Sequence, residues 1–348
     1  MNVLITGATG FLGKRLSQEL LNEGHRLFVL VRNEQRATQY LDLFTPNEQN
    51  NISILLGDVS EEGLGISEES VRQLNQQIDA VYHLAAFLSF DDNQKTHTFK
   101  VNVEGTKHTL AFSHAIGCPR FLYVSTAYTL GDTLEGKEEL YNPDRPFVNH
   151  YEESKCLAEH LVLSYQGKMD VVILRPSIII GDSQTGQAET NFGMYGFLKG
   201  LSVLKRRVSR AKDWEAKQCR IVADVHETTN LVPVDYVSFV LTTALTHAEK
   251  NKIYNITNPA PPTQMLIIEC MKEVLDFPNL ETVPLDSEQQ LTEQEKSFHH
   301  AMSVFKKYLN RSITFTSDNT RNLLKKVNKR ELHLDKALLT HIMRGFQA

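Results

Sequence analysis

The chain is poor in the residues that staple or anchor a fold. Of its 348 residues only four are cysteines, and Cys118, Cys156, Cys219 and Cys270 stand far apart with no paired spacing. This argues against a disulfide framework or a zinc site and predicts reduced, mostly buried thiols in a reducing compartment. The thirteen histidines are scattered, with His299-His300 the only adjacent pair, and no HExxH is present, so no metal site is expected. No run of about 18 apolar residues occurs, so no transmembrane segment is expected. Nor is there an excess of basic residues: the formal net charge of −5 argues against a nucleic-acid partner, whose contacts need a positive surface. The opening MNVLITGATG lacks a basic leader, a long apolar core and a cleavage site. A signal peptide is therefore not expected, and the expected location is cytoplasmic.

What is present is a rhythm. Val3–Thr6, Arg26–Val31, Ile52–Leu56, Ala80–Leu84, Phe121–Ser125 and Val171–Arg175 read as buried strands. Helical spacing fills the gaps at Phe11–Glu23, Glu69–Gln76, His97–Ala115 and His150–Tyr165. Such alternation predicts an α/β fold: a Rossmann-type, doubly wound parallel sheet with right-handed crossovers. Beyond Gly181 the rhythm breaks. Asn191–Val208 reads as a helix, while Asn230–Val237 and Lys252–Ile256 read as a return to the sheet. Pro259, Pro261 and Pro262 open a helical section whose best helices are Glu293–Leu309, Asn319–Val327 and Lys336–Arg344. The expected division is a dinucleotide domain over 1–182, completed by about 226–257, and a smaller, mostly helical substrate lobe over 183–225 and 258–348.

The first strand runs into Thr6-Gly7-Ala8-Thr9-Gly10-Phe11-Leu12-Gly13. Gly7 permits a tight turn, Gly10 clears space for a pyrophosphate, and Gly13 lets the helix close on the strand while its N–H groups face the anion. An NAD site usually has a carboxylate after the second strand; here Arg32 stands there, with Arg36 one helical turn on. A guanidinium pairs with a 2′-phosphate that a carboxylate would repel, so NADP(H) is the expected cofactor. Asp58-Val59 suits a contact to the adenine, and Leu84-Ala85-Ala86 suits close backbone passage along the cofactor.

Tyr151 and Lys155 form a Tyr-x-x-x-Lys pair at the start of a helix, on one face, so phenol and ammonium can meet over one cofactor. A cation and a helix N-terminus favour phenolate; lowering a phenol by about 3 units takes roughly 4 kcal/mol of differential stabilisation. Ser125-Thr126 closes the preceding strand.

With these motifs in order (TGATGFLG, GDVS, YHLAA, VNVEGT, YVSTAY, YEESK), the chain resembles an extended or atypical short-chain dehydrogenase/reductase over residues 1 to about 260. The resemblance implies that Tyr151 is the general acid or base and Lys155 holds the nicotinamide ribose. It implies that Thr126, 25 residues ahead of Tyr151, bonds the substrate oxygen and that Asn102 belongs to the cofactor site. LVRN, VSTAY, LRPSIIIGDSQTG and YNITNPAPPT bring it nearest to the thioester-reductase and fatty acyl-CoA reductase (male-sterility-like) branch, with Pro176 and Ser177 beside the cofactor. The implied activity is NADPH-dependent reduction of a small-molecule carbonyl, an acyl thioester (CoA- or carrier-bound) or an apolar aldehyde or ketone. No carrier or adenylation domain is read in these residues, and a free-standing enzyme is expected. The competing readings are a sugar-nucleotide epimerase or dehydratase that recycles its nicotinamide, and a non-catalytic NADP-binding regulator. The lobe offers Phe192, Met194, Tyr195, Phe197, Leu198, Leu201 and Leu204 as pocket or core residues. It also carries a basic run of Lys199, Lys205, Arg206, Arg207, Arg210 and Lys212, either a solvated helix face or a seat for coenzyme phosphates. Oligomeric state stays open, a dimer among the options.

Overall fold

Short apolar runs and amphipathic stretches alternate along the first half of the chain. In the computed structural model, which describes residues 1–189, 193–303 and 311–346, they become alternating strands and helices. Seven strands form one sheet: β1 (Asn2–Thr6), β2 (Arg26–Val31), β3 (Ile52–Leu56), β4 (Ala80–His83), β5 (Arg120–Val124), β6 (Asp170–Pro176) and β7 (Lys252–Ile256). Every neighbouring pair is parallel, in the order β7-β6-β5-β4-β1-β2-β3. The order reverses between β1 and β4, which opens the crevice where α/β sheets take their ligands. The central strands are buried almost throughout, which is why they read as unbroken apolar runs; edge strand β3 is only partly covered.

Three expectations change. The run Asn230–Val237 is not a return to the main sheet: only Leu231–Pro233 is a strand, paired with Ile178–Ile180, and Val234–His247 is a helix. Val232, Val234 and Val237 imitate a strand, yet the buried apolar residues Val237, Val240, Leu241, Ala244 and Leu245 recur at helical spacing. The stretch His97–Ala115 is broken by one wide, π-type turn at Lys100–Glu104 between the helices Lys95–Phe99 and Gly105–Ala115. The helix beginning at Glu293 runs to Ala301 and ends at Met302; residues 304–309 of the expected segment, with Phe305, lie outside the described residues, as does Phe192.

The chain divides into two units, 1–177 with 236–257 and 315–331, and 178–235 with 258–314 and 332–348. The expected boundaries thus move at 178–182, 226–235 and 315–331. The Ile178–Ile180 strand pairs with Leu231–Pro233 and takes both segments into the second unit. Glu138 draws 315–331 into the first. Its carboxylate accepts from the N–H groups of Asn255, Asn319 and Thr320, at the N-terminus of the helix Asp318–Lys326.

In the first unit, Leu4, Val81, Phe121 and Ile173 of the sheet pack with Leu110 and Val162 of the covering helices. Tyr82 Oη donates to the Leu241 carbonyl at 2.6 Å, and Arg120 donates to the carbonyls of Ala244 and Ala248, closing the end of the helix Val234–His247. In the second unit the helix Met194–Val208 buries Tyr195, Leu198, Leu201 and Leu204 on one stripe, in a core shared with Phe298 and Ile342. Met194 and Phe197 also line an apolar cavity of about 50 Å³, with Leu231, Ile267 and Met271. Lys205 of the basic run donates to the Leu275 carbonyl, while Arg206, Arg207, Arg210 and Lys212 are exposed. All four cysteines are free and buried, and burial pushes the thiols of Cys118 up to about 11 and of Cys156 and Cys219 up to about 12.

Candidate active site

The glycine loop leaves β1 beneath the exit of β4. Gly7 has φ +77°, and a Cβ there would lie 2.6 Å from the Ala85 nitrogen and 2.8 Å from the Leu84 carbonyl carbon. The close backbone passage expected of Leu84-Ala85 therefore runs directly over the loop. A Cβ on Gly13 would strike the Gly7 carbonyl oxygen and sit 2.7 Å from Ala8 Cα, so the helix Phe11–Asn22 rests on the loop itself. Thr9, Phe11 and Leu12 are half-buried along the loop and first turn, and Gly10 is exposed. A cradle that side chains would fill, opening on a helix N-terminus, fits a dinucleotide pyrophosphate.

Next to it a cleft of about 400 Å³ is lined by Thr9, Lys14, Asn33, Arg36, Gln39 and Tyr40, among others. Asn33 starts the helix Glu34–Leu41 by accepting from the Arg36 N–H, so the cap that begins the helix also sets the backbone of the arginine. Arg36 thus enters the cleft with Lys14, a residue the motif reading passed over because it lies one position beyond the glycine pattern. Arg32 is exposed and is not among the lining residues. Asp58 Oδ1 accepts from the Ser60 N–H, and Val59 is buried. Leu84 and Ala85 are half-buried and Ala86 is exposed.

The second half of the site is the helix His150–Leu163. Asn149 caps it by accepting from the Glu152 N–H, and Glu152 and Glu153 occupy the positive first turn. The cap brings Tyr151 and Lys155 onto one turn. Lys155 is only 2% exposed; its ammonium donates to the Val124 carbonyl at 2.7 Å and lies 4.4 Å from the Tyr123 ring centroid. Burial pulls its pKa down to about 7, against which Glu159 acts. The Tyr151 ring meets Phe90 edge-on at 6.4 Å. Burial, followed by the Glu152 carboxylate, pushes the phenol well above its ordinary range. This reverses the expectation of a lowered phenol: the cation that was to lower it is itself desolvated and committed to Val124.

Beyond β5, Ser125 N–H and Ala127 N–H donate to Leu174 and Pro176 of β6. Thr126 Oγ1, between them, accepts from the Tyr128 N–H at 3.3 Å, which leaves the Thr126 proton to donate. Ser125 Oγ is buried with no partner among the described residues. Ser177 N–H donates to the Ile256 carbonyl, aligning the end of β6 with β7. Asn102 sits in the wide turn, 1% exposed; its amide pairs with both backbone groups of Phe87 and donates to Ser154 Oγ at 2.9 Å. Such turns recur at functional sites, and no periodicity argument reveals them.

Comparison with known proteins places this geometry in a lineage. The family described as Male sterility protein, an NAD-binding family, matches residues 5–241. The L-2-aminoadipate reductase of Saccharomyces cerevisiae is 27% identical over 286 residues, which is 73% of this chain and 19% of that protein. Fatty acyl-CoA reductase wat of Drosophila melanogaster is 23% identical over 95% of this chain and 79% of its own length. The crystal structure of the terminal R domain from the myxalamid PKS-NRPS biosynthetic pathway superimposes with a TM-score of 0.82 at 25% identity, covering 99% of this chain and 91% of that one. The chain spans about a fifth of the aminoadipate reductase, so that protein's whole activity does not carry over with the match. Among the described residues no helix is long and apolar enough to cross a membrane. The loop, the sheet order and the matched span agree: the chain belongs to the male sterility protein family, an NAD(P)-binding group of extended short-chain dehydrogenases/reductases on the thioester-reductase and fatty acyl-CoA reductase branch.

Proposed function

We propose that this chain is an NADPH-dependent reductase of a carbonyl, either an acyl thioester or an apolar aldehyde or ketone, with Tyr151 as the proton donor. The carrying observation is geometric: the cap at Asn149 sets Tyr151 one helical turn from the buried Lys155, whose ammonium donates to the Val124 carbonyl at the end of β5, and the Thr126 hydroxyl just beyond that strand keeps its proton to donate. A phenol carries its proton at neutral pH and can give it to a developing alkoxide.

The residues that would hold the cofactor are the loop from Thr6 to Gly13 and, around the adenosine, Lys14, Arg36, Asp58 and Val59. When bound, the nicotinamide supplies a hydride to the carbonyl carbon. Tyr151 and Thr126 hydrogen-bond the carbonyl oxygen as negative charge develops there, and Tyr151 transfers its proton to it. Lys155, one helical turn from the phenol, orients the ribose. From a thioester the product is a hemithioacetal, which loses the thiol to give an aldehyde.

The reading is tested by NADPH oxidation against acyl-CoAs, long-chain aldehydes, ketones and nucleotide sugars. Turnover on one of the first three groups is expected. Tyr151→Phe should lower kcat by at least about a hundredfold, the ordinary scale of general acid catalysis, with NADPH affinity retained. Full activity in that variant contradicts the assignment.

Cofactor choice rests on Lys14 and Arg36, which place two cations in the cleft. Lys14→Glu with Arg36→Glu should cut the NADPH-over-NADH preference by more than about tenfold, the equivalent of one charged contact to phosphate. An unchanged ratio of the two kcat/KM values would remove the NADPH assignment.

The pH dependence of stability follows from Lys155. Its folded value is about 7 against an ordinary 10.5, so between these limits the unfolded chain binds more protons than the folded one. Stability contributed at this site therefore rises with pH across that window, and the burial penalty is full below about 7. In urea unfolding, wild type should gain relative to Lys155→Met as pH rises from about 7 to about 10. A flat difference would mean that Lys155 holds its proton equally in the folded and unfolded chain, so that burial does not lower it.

A further inference from the structure

His83 is the last residue of β4, fully buried, and no part of the mechanism above uses it. Its ring stacks on Tyr123 at 5.6 Å and 26°, the same ring that faces the Lys155 ammonium. Nδ1 lies 2.6 Å from Thr6 Oγ1 and Nε2 lies 3.0 Å from Thr106 Oγ1.

Counting protons gives these contacts a direction. The Thr106 hydroxyl donates to the Asn102 carbonyl at 2.6 Å, so toward His83 it can only accept, and the ring proton sits on Nε2. Nδ1 is then an acceptor and the Thr6 hydroxyl donates to it. The Thr6 oxygen in turn accepts from the Ala85 N–H at 3.3 Å. A second ring proton would leave the Thr6 hydroxyl without its acceptor, and burial opposes it, pulling the imidazole down to about 3. From Asn102 the line continues: its amide donates to Ser154 Oγ, and that hydroxyl donates to the Tyr151 carbonyl at 2.7 Å. Every bond from the glycine loop to Tyr151 is thus assigned one donor and one acceptor. The wide turn at Lys100–Glu104 is what presents the Asn102 carbonyl to Thr106 and its amide to Ser154 together.

We propose that His83 is a positioning residue whose Nε2-protonated tautomer joins two halves of the site, Thr6 of the cofactor loop through Nδ1 and Tyr151 through Thr106, Asn102 and Ser154. Its kinetic consequence rests on the reductase reading; its hydrogen bonds do not. The two ring nitrogens serve different halves, so they can be removed separately. His83→Asn keeps an acceptor near Nδ1 and cannot reach Thr106. His83→Gln carries a donor to the Nε2 position and gives up the bond from Thr6.

In the full-length chain, His83→Asn is expected to hold the NADPH Kd within about threefold while kcat falls roughly tenfold, the scale of one buried hydrogen bond. His83→Gln should do the opposite, weakening NADPH roughly tenfold with kcat at saturating NADPH within about threefold. Equal losses of both quantities in both variants, or no loss in either, would overturn the proposal. Imidazole nitrogen NMR of the 15N-labelled wild-type chain gives an answer that needs no substrate and no cofactor. One ring, missing from the spectrum of His83→Asn or, should that variant not fold, of His83→Gln, should be a neutral Nε2–H tautomer that does not titrate between about pH 8 and 5, unlike a free histidine. If neither variant folds, the ring is assigned in the wild type from its coupling to the Thr106 and Thr6 hydroxyls. A His83 ring that titrates near its ordinary value, or carries its proton on Nδ1, would overturn the proposal. Should the wild type bind NADPH yet reduce no carbonyl, the reductase reading fails, while the Kd comparison and the NMR still judge His83.

Discussion

The helix His150–Leu163 turns a polar face inward, and the site depends on how that face is satisfied. Glu152, Ser154, Lys155 and Glu159 are all buried, an arrangement that costs several kcal/mol per unpaired charge. Glu159 takes a two-pronged bond from Arg175 of β6, at 2.8 and 2.6 Å, with both side chains fully buried. The same guanidinium donates to the carbonyls of Lys137 and Glu139. Lys155 is held by the Val124 carbonyl and the Tyr123 face, and Ser154 by Asn102 and Tyr151. These contacts tie the helix to β5, to β6 and to the wide turn at Lys100–Glu104. Tyr151 is consequently placed by a frame that cannot shift without exposing a buried charge.

The opposite wall is fixed by closeness rather than charge. The exit of β4 passes so near Gly7 that any side chain there would meet backbone. Where β1 and β4 part, the sheet order reverses, and this is where the loop, the Leu84-Ala85 backbone and the end of β5 converge. His83 stands at the junction of the two walls. A histidine is suited to that place because one neutral ring offers a donor and an acceptor on opposite edges.

Much of this was legible in the residues. Strands buried on both faces announce themselves as apolar runs, and β2, β3 and β7 begin and end where the run does. The glycine spacing located the loop because its chemistry leaves no other residue type. Other features lacked such a signature. The apolar run Asn230–Val237 reads as one strand, yet the helix Val234–His247 begins inside it. The segment 315–331 joins the first unit through residues far away in sequence, among them Gly136, Glu138, Ile253 and Asn255. Lys14 looked like an ordinary helix lysine until the cleft put it beside Arg36. The direction in which the Tyr151 phenol shifts is not legible in the residues, because helix geometry reveals that a cation is near, but not that it is desolvated and bonded elsewhere.

The central claim is net hydride transfer to a carbonyl carbon, with the proton supplied by a phenol that holds it. The most direct test is turnover with NADPH deuterated at the nicotinamide C4, using each C4 stereoisomer in turn and following the label by mass spectrometry. The account predicts that one isomer places deuterium on the former carbonyl carbon of the product, one label per NADP⁺ formed. Product that is isomerised or dehydrated with the nucleotide unchanged in amount, or reduced product without label from either isomer, would contradict it.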